Sequence, residues 1–289
     1  MKVIIIGDSG FIGKSIFDYL YKTMEFDLKG ISTIEIDLTE EKSYSLLSKN
    51  FSSESIIIMC AGVKKQLGDS LDTFEKNSII INNFCKAITL VPPKRIIFFS
   101  SASVYGEDVD YKVKITEETA VKLKTYYGIA KYNAECLLYK ICNDIQTELV
   151  ILRPPLIYGI DDHSKGYGPT GFTYKTLKHE EIVLWGGGNE LREFIYIDDV
   201  SNTIYRLLKS SFNGVLNLVS GNSYTFRKVI DLLKEISKSD INFVSRKRSK
   251  EKVDHNYSNE LFNNIIPDFE FTQLEHGLKK MYNSLNENN

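Results

Sequence analysis

The chain has 289 residues, 43% hydrophobic and 26% charged, an ordinary globular composition with enough apolar material for one large domain or two unequal ones. Lys and Arg number 36 against 38 Asp and Glu, so the charge balance does not point to nucleic acid as a partner. No apolar run is long enough to span a membrane, the N-terminus reads as a strand rather than a signal peptide, the four cysteines form no C-x-x-C pair and the four histidines have no metal-ligand spacing. The expectation is a soluble cytoplasmic protein with buried free thiols (Cys60, Cys85, Cys136, Cys142), no metal site and no membrane contact.

In chain order, KVIIIG (2–7) is a short apolar run ending in glycine, followed by a helical pattern with Ile12, Ile16 and Leu20 four apart. Then come FDLKGI (26–31), TIEIDL (33–38), a short helix near 40–49 and SIIIMCAG (55–62). A long helix near 69–90 leads to KRIIFFSS (94–101), and a helix over about 125–142 leads to ELVILRP (148–154). Apolar runs without polar alternation suit strands buried on both faces, and strands separated by helices imply βαβ crossovers. Residues 1–155 therefore read as a Rossmann-type, doubly wound α/β domain with a parallel sheet.

After RPPLIYG the texture changes. IDDHSKGYGPTG (160–171), rich in Gly, Asp and Ser, reads as a mobile loop beside a site. The rest mixes short strands (EIVLWG, REFIYI, GVLNLV) with helices near 199–209, 226–237 and 273–284. This predicts a smaller C-terminal α+β domain over 156–289, some segments of which return to the first. The basic run SRKRSK (245–250) reads as a solvated loop rather than a binding patch.

VIIIGDSGFIGKSI places Gly7, Gly10 and Gly13 between a strand and a helix. Glycines there permit a tight turn and a close approach of backbone N–H groups to a pyrophosphate, whose charge the helix N-terminus favours. The tip of the second strand reads Gly30, Ile31, Ser32, Thr33, without the acid that would bind a ribose 2′-hydroxyl and favour NAD. Asp27 lies at the strand's start. The small hydroxyls would tolerate a 2′-phosphate, so NADP(H) and NAD(H) both stay open. Asp37 is placed either to hydrogen-bond an adenine amino group or to cap a helix starting at Leu38 or Thr39.

IIFFSSASVYGE (96–107) runs a core strand into Ser100, Ser101, Ser103 and Tyr105. Two readings stand: hydroxyls that satisfy a strand-end turn, or a site at the carboxyl end of a parallel sheet. Tyr127 and Lys131 in TYYGIAKYNAE are four apart, on one face of a helix. A phenol titrates near pH ~10, too high for acid–base work at neutral pH, and a neighbouring ammonium lowers that value. A serine hydroxyl, such a phenol and a lysine beside a nicotinamide would move a hydride and a proton at an alcohol carbon.

Together with CAG (60–62), Asn77, RPPLIYG and LREFIYIDDV, these motifs resemble the extended short-chain dehydrogenase/reductase family in its NAD-dependent epimerase/dehydratase branch, over nearly the whole chain. The resemblance implies Tyr127 as general acid–base, Lys131 on the nicotinamide ribose, and Ser101 holding the substrate oxygen with Ser103 beside it. It implies cofactor contacts from Gly7, Gly10, Phe11, Ile12, Gly13, Asp37, Leu38, Cys60, Ala61, Gly62, Asn77, Lys131 and Pro154. The second domain would then bind a sugar nucleotide. Arg192 would pair with its diphosphate, the alternative being a surface arginine; Trp185 would stack on its base, the alternative being a core tryptophan.

Dehydratases of this branch carry an Asp–Glu pair where this chain has Ala102 and Ser103, which disfavours water elimination. Asn is common in the branch where Leu156 stands, which shifts the phosphate grip toward Arg192, the 160–171 loop and Lys64 or Lys65. The compressed segment from Gly13 to Cys60 is similar to dTDP-4-dehydrorhamnose reductases. The expected function is reduction, by NADPH or NADH, of the C4 keto group of a 4-keto-6-deoxy sugar nucleotide for deoxysugar or surface-polysaccharide synthesis. The alternatives are a nucleotide-sugar 4-epimerase and, less favoured, a non-catalytic NAD(P)-sensing module. Resemblance also implies a homodimer through helices near 69–90 and 125–142.

Overall fold

The computed structural model describes residues 1–65, 68–106, 109, 111–163, 166–248 and 251–287. It begins β1 (Lys2–Ile6), α1 (Phe11–Thr23), β2 (Asp27–Ile31), α2 (Ser43–Ser48), β3 (Ile56–Met59), α3 (Leu71–Leu90), β4 (Arg95–Phe99), α4 (Tyr126–Asp144) and β5 (Glu148–Arg153). There follow β6 (Leu156–Tyr158), α5 (Pro169–Leu177), β7 (Ile182–Trp185), β8 (Leu191–Tyr196), α6 (Ile197–Leu208) and β9 (Gly214–Asn217). The chain ends with β10 (Ser223–Thr225), α7 (Phe226–Ser237), β11 (Phe243–Arg246), α8 (Glu260–Ile265) and α9 (Leu274–Glu287).

These elements fall into two compact units. The first comprises residues 1–106, 120–154 and 200–218; the second comprises 107–119, 155–199 and 219–289.

In the first unit, six strands form one sheet in the order β2-β1-β3-β4-β5-β9, every neighbour parallel. The isoleucine-rich runs account for it. Val3, Ile4, Ile5, Ile57, Ile58, Ile96 and Ile97 are wholly buried, as strands covered on both faces must be. Each such side chain contributes about 1.5–3 kcal/mol of burial energy, an upper figure for an extended unfolded chain. From β1 the chain goes to β2 on one side and then to β3 on the other. That reversal is a topological switch point, and open α/β sheets bind ligands at the carboxyl ends of the strands there. The segments leaving those two strands are the glycine loop after β1 and Cys60-Ala61-Gly62 after β3.

TIEIDL (33–38), expected among the strands, is a turn instead. Glu35 folds back to accept the Ser32 N–H at 2.9 Å, and Ile34 is 97% exposed. An alternating apolar pattern holds a strand only when a neighbouring strand or core covers it. GVLN, from late in the sequence, supplies the sheet's sixth strand as β9. Cys85 and Cys142 are buried as expected, whereas Cys136 is exposed and Cys60 half-buried.

The second unit is built from smaller pieces. β8 pairs antiparallel with β10 and parallel with β6, and β7 pairs parallel with β11. Tyr167, Phe172, Phe194 and Phe226 pack ring against ring, with centroids 4.4–6.2 Å apart. Of the expected 160–171 loop, residues from Pro169 onward are already helix α5, with proline in its first turn; Ser164 and Lys165 lie outside the described residues. Among the described residues no helix is long and apolar enough to cross a membrane, and no group of His, Cys, Asp or Glu could hold a metal ion.

Candidate active site

The glycine loop joins β1 to α1 under tight steric limits. Gly7 has φ +88°, and a Cβ there would lie 2.9 Å from the Ala61 nitrogen. A Cβ on Gly13 would lie 2.1 Å from the Gly7 carbonyl oxygen, so Gly13 lets the helix sit against the loop. α1 has no side-chain cap on Gly10 and no acidic residue in its first turn. Its first N–H groups therefore face outward with the positive end of the helix dipole, a setting for a pyrophosphate. Phe11 and Gly13 are buried under this turn, and Lys64 lies over the Phe11 ring at 5.2 Å.

The tip of β2 carries no acid of its own, as read from the sequence, but an acid from another segment lies against the strand. Asp8 reaches over from the glycine loop, and a Cβ on Gly30 would meet its Oδ2 at 2.0 Å. Asp8 Oδ1 is buried without a hydrogen-bond partner, and burial, then the charge of Glu35, raises the Asp8 pKa. Asp37 does not cap a helix. It accepts from the Thr39 N–H at 2.9 Å and hydroxyl at 2.7 Å in a turn that lowers its pKa, and α2 starts only at Ser43. Leu38 is buried, its carbonyl bonded by Asn83 Nδ2 at 3.0 Å.

At the ends of β3 and β4 several expected residues converge. Lys131 is buried; its Nζ donates to the Phe99 carbonyl at 2.7 Å and sits 5.8 Å from the Tyr127 ring centroid. A Cβ on Gly62 would stand 3.7 Å from that Nζ and 3.1 Å from Asn77 Oδ1. Asn77 in turn pins the backbone after Gly62, accepting the Val63 N–H at 2.9 Å and donating to the Val63 carbonyl at 3.1 Å. Burial pulls the Lys131 ammonium down to about 8, with Cys60 and Glu135 pulling the other way. At neutral pH the ammonium still prevails.

Ser101 caps a turn, as the strand-end reading expects, and it does so at the carboxyl end of the parallel sheet. Its Oγ accepts the Ser103 N–H at 3.1 Å, capping a short 3-10 turn (Ala102–Tyr105), and donates to Ser103 Oγ at 3.1 Å. The Pro154 carbonyl accepts the Ala102 N–H at 2.9 Å, tying this turn to the end of β5. α4 starts beside it: Thr125 caps the helix through the Gly128 N–H at 3.0 Å, and a Cβ on Gly128 would strike the Ser103 carbonyl at 2.9 Å. Gly128 thus lets Tyr127's turn pack on the serine turn.

Behind these residues lies a polar network that sequence reasoning missed. Glu135 continues the spacing Tyr127, Lys131 by four more residues. It accepts from Arg153 Nε at 3.0 Å and Nη2 at 2.6 Å, and from the Ser100 hydroxyl. Arg153 also donates to Tyr105 Oη at 2.9 Å, whose hydroxyl donates to Asn217 Oδ1 at 2.8 Å. The network holds together the ends of β4, β5 and β9 and the middle of α4.

The second unit carries the remaining candidates. The Arg192 guanidinium donates to the carbonyls of Leu191 at 2.8 Å and Val253 at 2.6 Å, so it is anchored rather than a free surface group. Trp185 is 43% exposed, which excludes the core reading. Its backbone N–H donates to Tyr167 Oη at 3.3 Å. The run SRKRSK is not a solvated loop throughout: Ser245 and Arg246 belong to β11, and Arg248 pairs with Glu190 against Gly186. Ser249 and Lys250 lie outside the described residues. Arg248 and Glu190 are 58 residues apart, beyond any local pattern.

The chain is 25% identical over 98% of its length, and 97% of the relative's, to a GDP-6-deoxy-D-talose 4-dehydrogenase of Aggregatibacter actinomycetemcomitans. It is 22% identical, over 82% of each chain, to an uncharacterized UDP-glucose epimerase, YtcB, of Bacillus subtilis. Its fold matches the UDP-glucuronic acid 4-epimerase of Bacillus cereus, solved with UDP-glucuronic acid and NAD, at TM-score 0.87, 18% identity and full coverage of both chains. The model of the NAD dependent epimerase/dehydratase family matches residues 3–218, and this chain, with its Rossmann-type sheet, belongs to that family.

Proposed function

We propose that this chain reduces the C4 keto group of a 4-keto-6-deoxy sugar nucleotide with NADH or NADPH. The arrangement that carries the reading is Lys131, buried beside the Tyr127 ring and bonded to the last residue of β4, two residues before Ser101. The residues at the glycine loop fit a dinucleotide: Gly7, Gly10 and the uncapped start of α1 would hold its pyrophosphate, and Asn77 and Lys131 would meet the nicotinamide ribose. When bound, the dinucleotide supplies the hydride to C4. Ser101 then holds the sugar oxygen by its hydroxyl, and Tyr127 gives that oxygen its phenolic proton as the C=O bond becomes C–OH. The Lys131 ammonium stabilises the phenolate left on Tyr127, which takes its proton back from water. In the second unit Arg192, Arg248 and Trp185 are the candidates for diphosphate and base.

Reduction is favoured over elimination because Ala102 and Ser103 stand where a dehydratase needs carboxylates. The relative matched end to end is named for the 4-dehydrogenation of a GDP-6-deoxy sugar, the same bond taken in the other direction. A second reading, 4-epimerisation, is supported by the relative named as a UDP-glucose epimerase.

The test is to mix the purified protein with NADH or NADPH and a panel of 4-keto-6-deoxy sugar nucleotides, GDP-linked first, following absorbance at 340 nm. Stoichiometric loss of reduced cofactor supports the reductase. No loss, with interconversion of ordinary hexose nucleotides on catalytic NAD, replaces it by the epimerase. Tyr127→Phe is expected to lower turnover by about 10²–10⁴-fold while cofactor still binds; normal turnover would sink the mechanism. A homodimer through α3 and α4 is supported by Leu71, Ile79, Leu90, Ile129 and Tyr139, all exposed on these helices. Sedimentation at a monomer mass would refute it.

A further inference from the structure

β2 ends without an acid of its own, yet the fold brings two carboxylates to its tip. We propose that Asp8 and Glu35 form an adenosine-ribose site that selects NAD(H) and excludes the 2′-phosphate of NADP(H). The inference rests on dinucleotide binding by the β1–α1 loop.

Asp8 follows the first glycine of that loop, beside the turn that would hold the pyrophosphate. Its Oδ2 lies against β2, 2.0 Å from where a Cβ on Gly30 would stand, so the glycine leaves it room. Its Oδ1 is buried and has no donor. A buried carboxylate oxygen without a donor is unfavourable, and a ribose hydroxyl is a donor of the kind it lacks. The turn after β2 brings Glu35 to the same end of the strand, with its Oε2 2.9 Å from the Ser32 nitrogen and its charge felt at Asp8. The Ser32 hydroxyl, 3.4 Å from that oxygen, is thereby engaged by an acid.

Among the described residues neither Asp8 nor Glu35 is ion-paired. A 2′-phosphate would add between about 1.5 and 2 negative charges to this corner. Like charges repel, and among the described residues no guanidinium pairs with either carboxylate. Asp37, the other acid nearby in sequence, is already committed to Thr39.

The experiment is calorimetric titration of the full chain with NADH and with NADPH, which reads binding and not turnover. The expected result is NADH bound at least about tenfold more tightly, with Asp8→Asn/Glu35→Gln narrowing that ratio at least about fivefold by strengthening NADPH. If Asp8→Asn fails to fold, Glu35→Gln, on an exposed turn, must still narrow the ratio by about twofold or more. Equal affinities, a preference for NADPH, or an unmoved ratio in the folded variants overturns the inference and leaves dinucleotide binding standing. Binding of neither cofactor overturns dinucleotide binding itself, and the inference with it.

Discussion

Glu135 in the first unit and Glu193 in the second are both shut away from water, at 3% and 1% exposure, but by different means. Glu135 lies in the fork of Arg153 and also accepts from Ser100. Glu193 is met by uncharged donors, among them the N–H groups of Ser220 and Gly221, and its Oε2 has no hydrogen-bond partner. Burial pushes Glu193 up to about 7, against the pull of those donors and, more weakly, of Lys114. A buried carboxylate can be held by a fixed opposite charge, and then its removal strands the partner. Held by dipoles alone, it becomes a group that follows pH.

Breaking the paired site should have the largest effect. Arg153→Met leaves Glu135 buried and uncompensated, with the Tyr105 hydroxyl short of a donor. The expected loss is about 3–5 kcal/mol of unfolding free energy, read by urea denaturation. The double variant Glu135→Gln/Arg153→Met should recover most of it, because the stranded charge is gone. A loss below about 1 kcal/mol in the single variant would mean that the pair does not organise the strand ends.

Glu193 predicts the opposite sign. Its folded pKa lies above its unfolded value near 4.5, so the folded state binds more protons between about 4.5 and 7. Stability is therefore undiminished below that window and falls as pH rises through it. Asp199, pushed up to about 6 by burial despite accepting from Thr272, adds in the same direction. Glu193→Gln should leave stability at pH 4 little changed and raise it at pH 8 by on the order of 1–2 kcal/mol, since the amide keeps an acceptor for Ser220 and Gly221. Melting curves from pH 4 to 8 would show it; a variant that is less stable at pH 8 would refute the argument.

The two units were also unequally legible in the sequence. β1, β3, β4 and β5 announce themselves because strands covered on both faces need no alternation and flank helices of ordinary length. TIEIDL misled because period-two alternation is a necessary mark of a half-buried strand and not a sufficient one; Ile34 has nothing to cover it. β6 and β10, three residues each, are too short to show any period. Tyr127 and Lys131 were readable from helical spacing, and Glu135 lay in that same series. Its partner Arg153 was hidden inside the apolar run ELVILR. Asp8 against Gly30 and Arg248 against Glu190 were beyond reach, because each contact joins residues that only the finished fold brings together.

The smallest expected effect supplies the baseline for both buried carboxylates. Lys76 and Asp72 on α3 form a pair at 2.9 Å, but their side chains are 51% and 69% exposed. Water screens the attraction, and both side chains lose rotamer freedom in making it, so Lys76→Ala should cost about 0.3–0.5 kcal/mol. Asp72 sits in the first turn of α3 and keeps its favourable interaction with the helix N-terminus after the lysine is gone. Raising the salt to about 1 M shrinks the screening length to ~3 Å and should erase the difference between Lys76→Ala and the parent in urea unfolding. The same salt should leave the penalty of Arg153→Met largely intact, because no ions reach a charge buried between α4 and β5. A salt-insensitive cost above about 1 kcal/mol for Lys76→Ala would show that helix packing, not exposure, sets the worth of an ion pair in this unit.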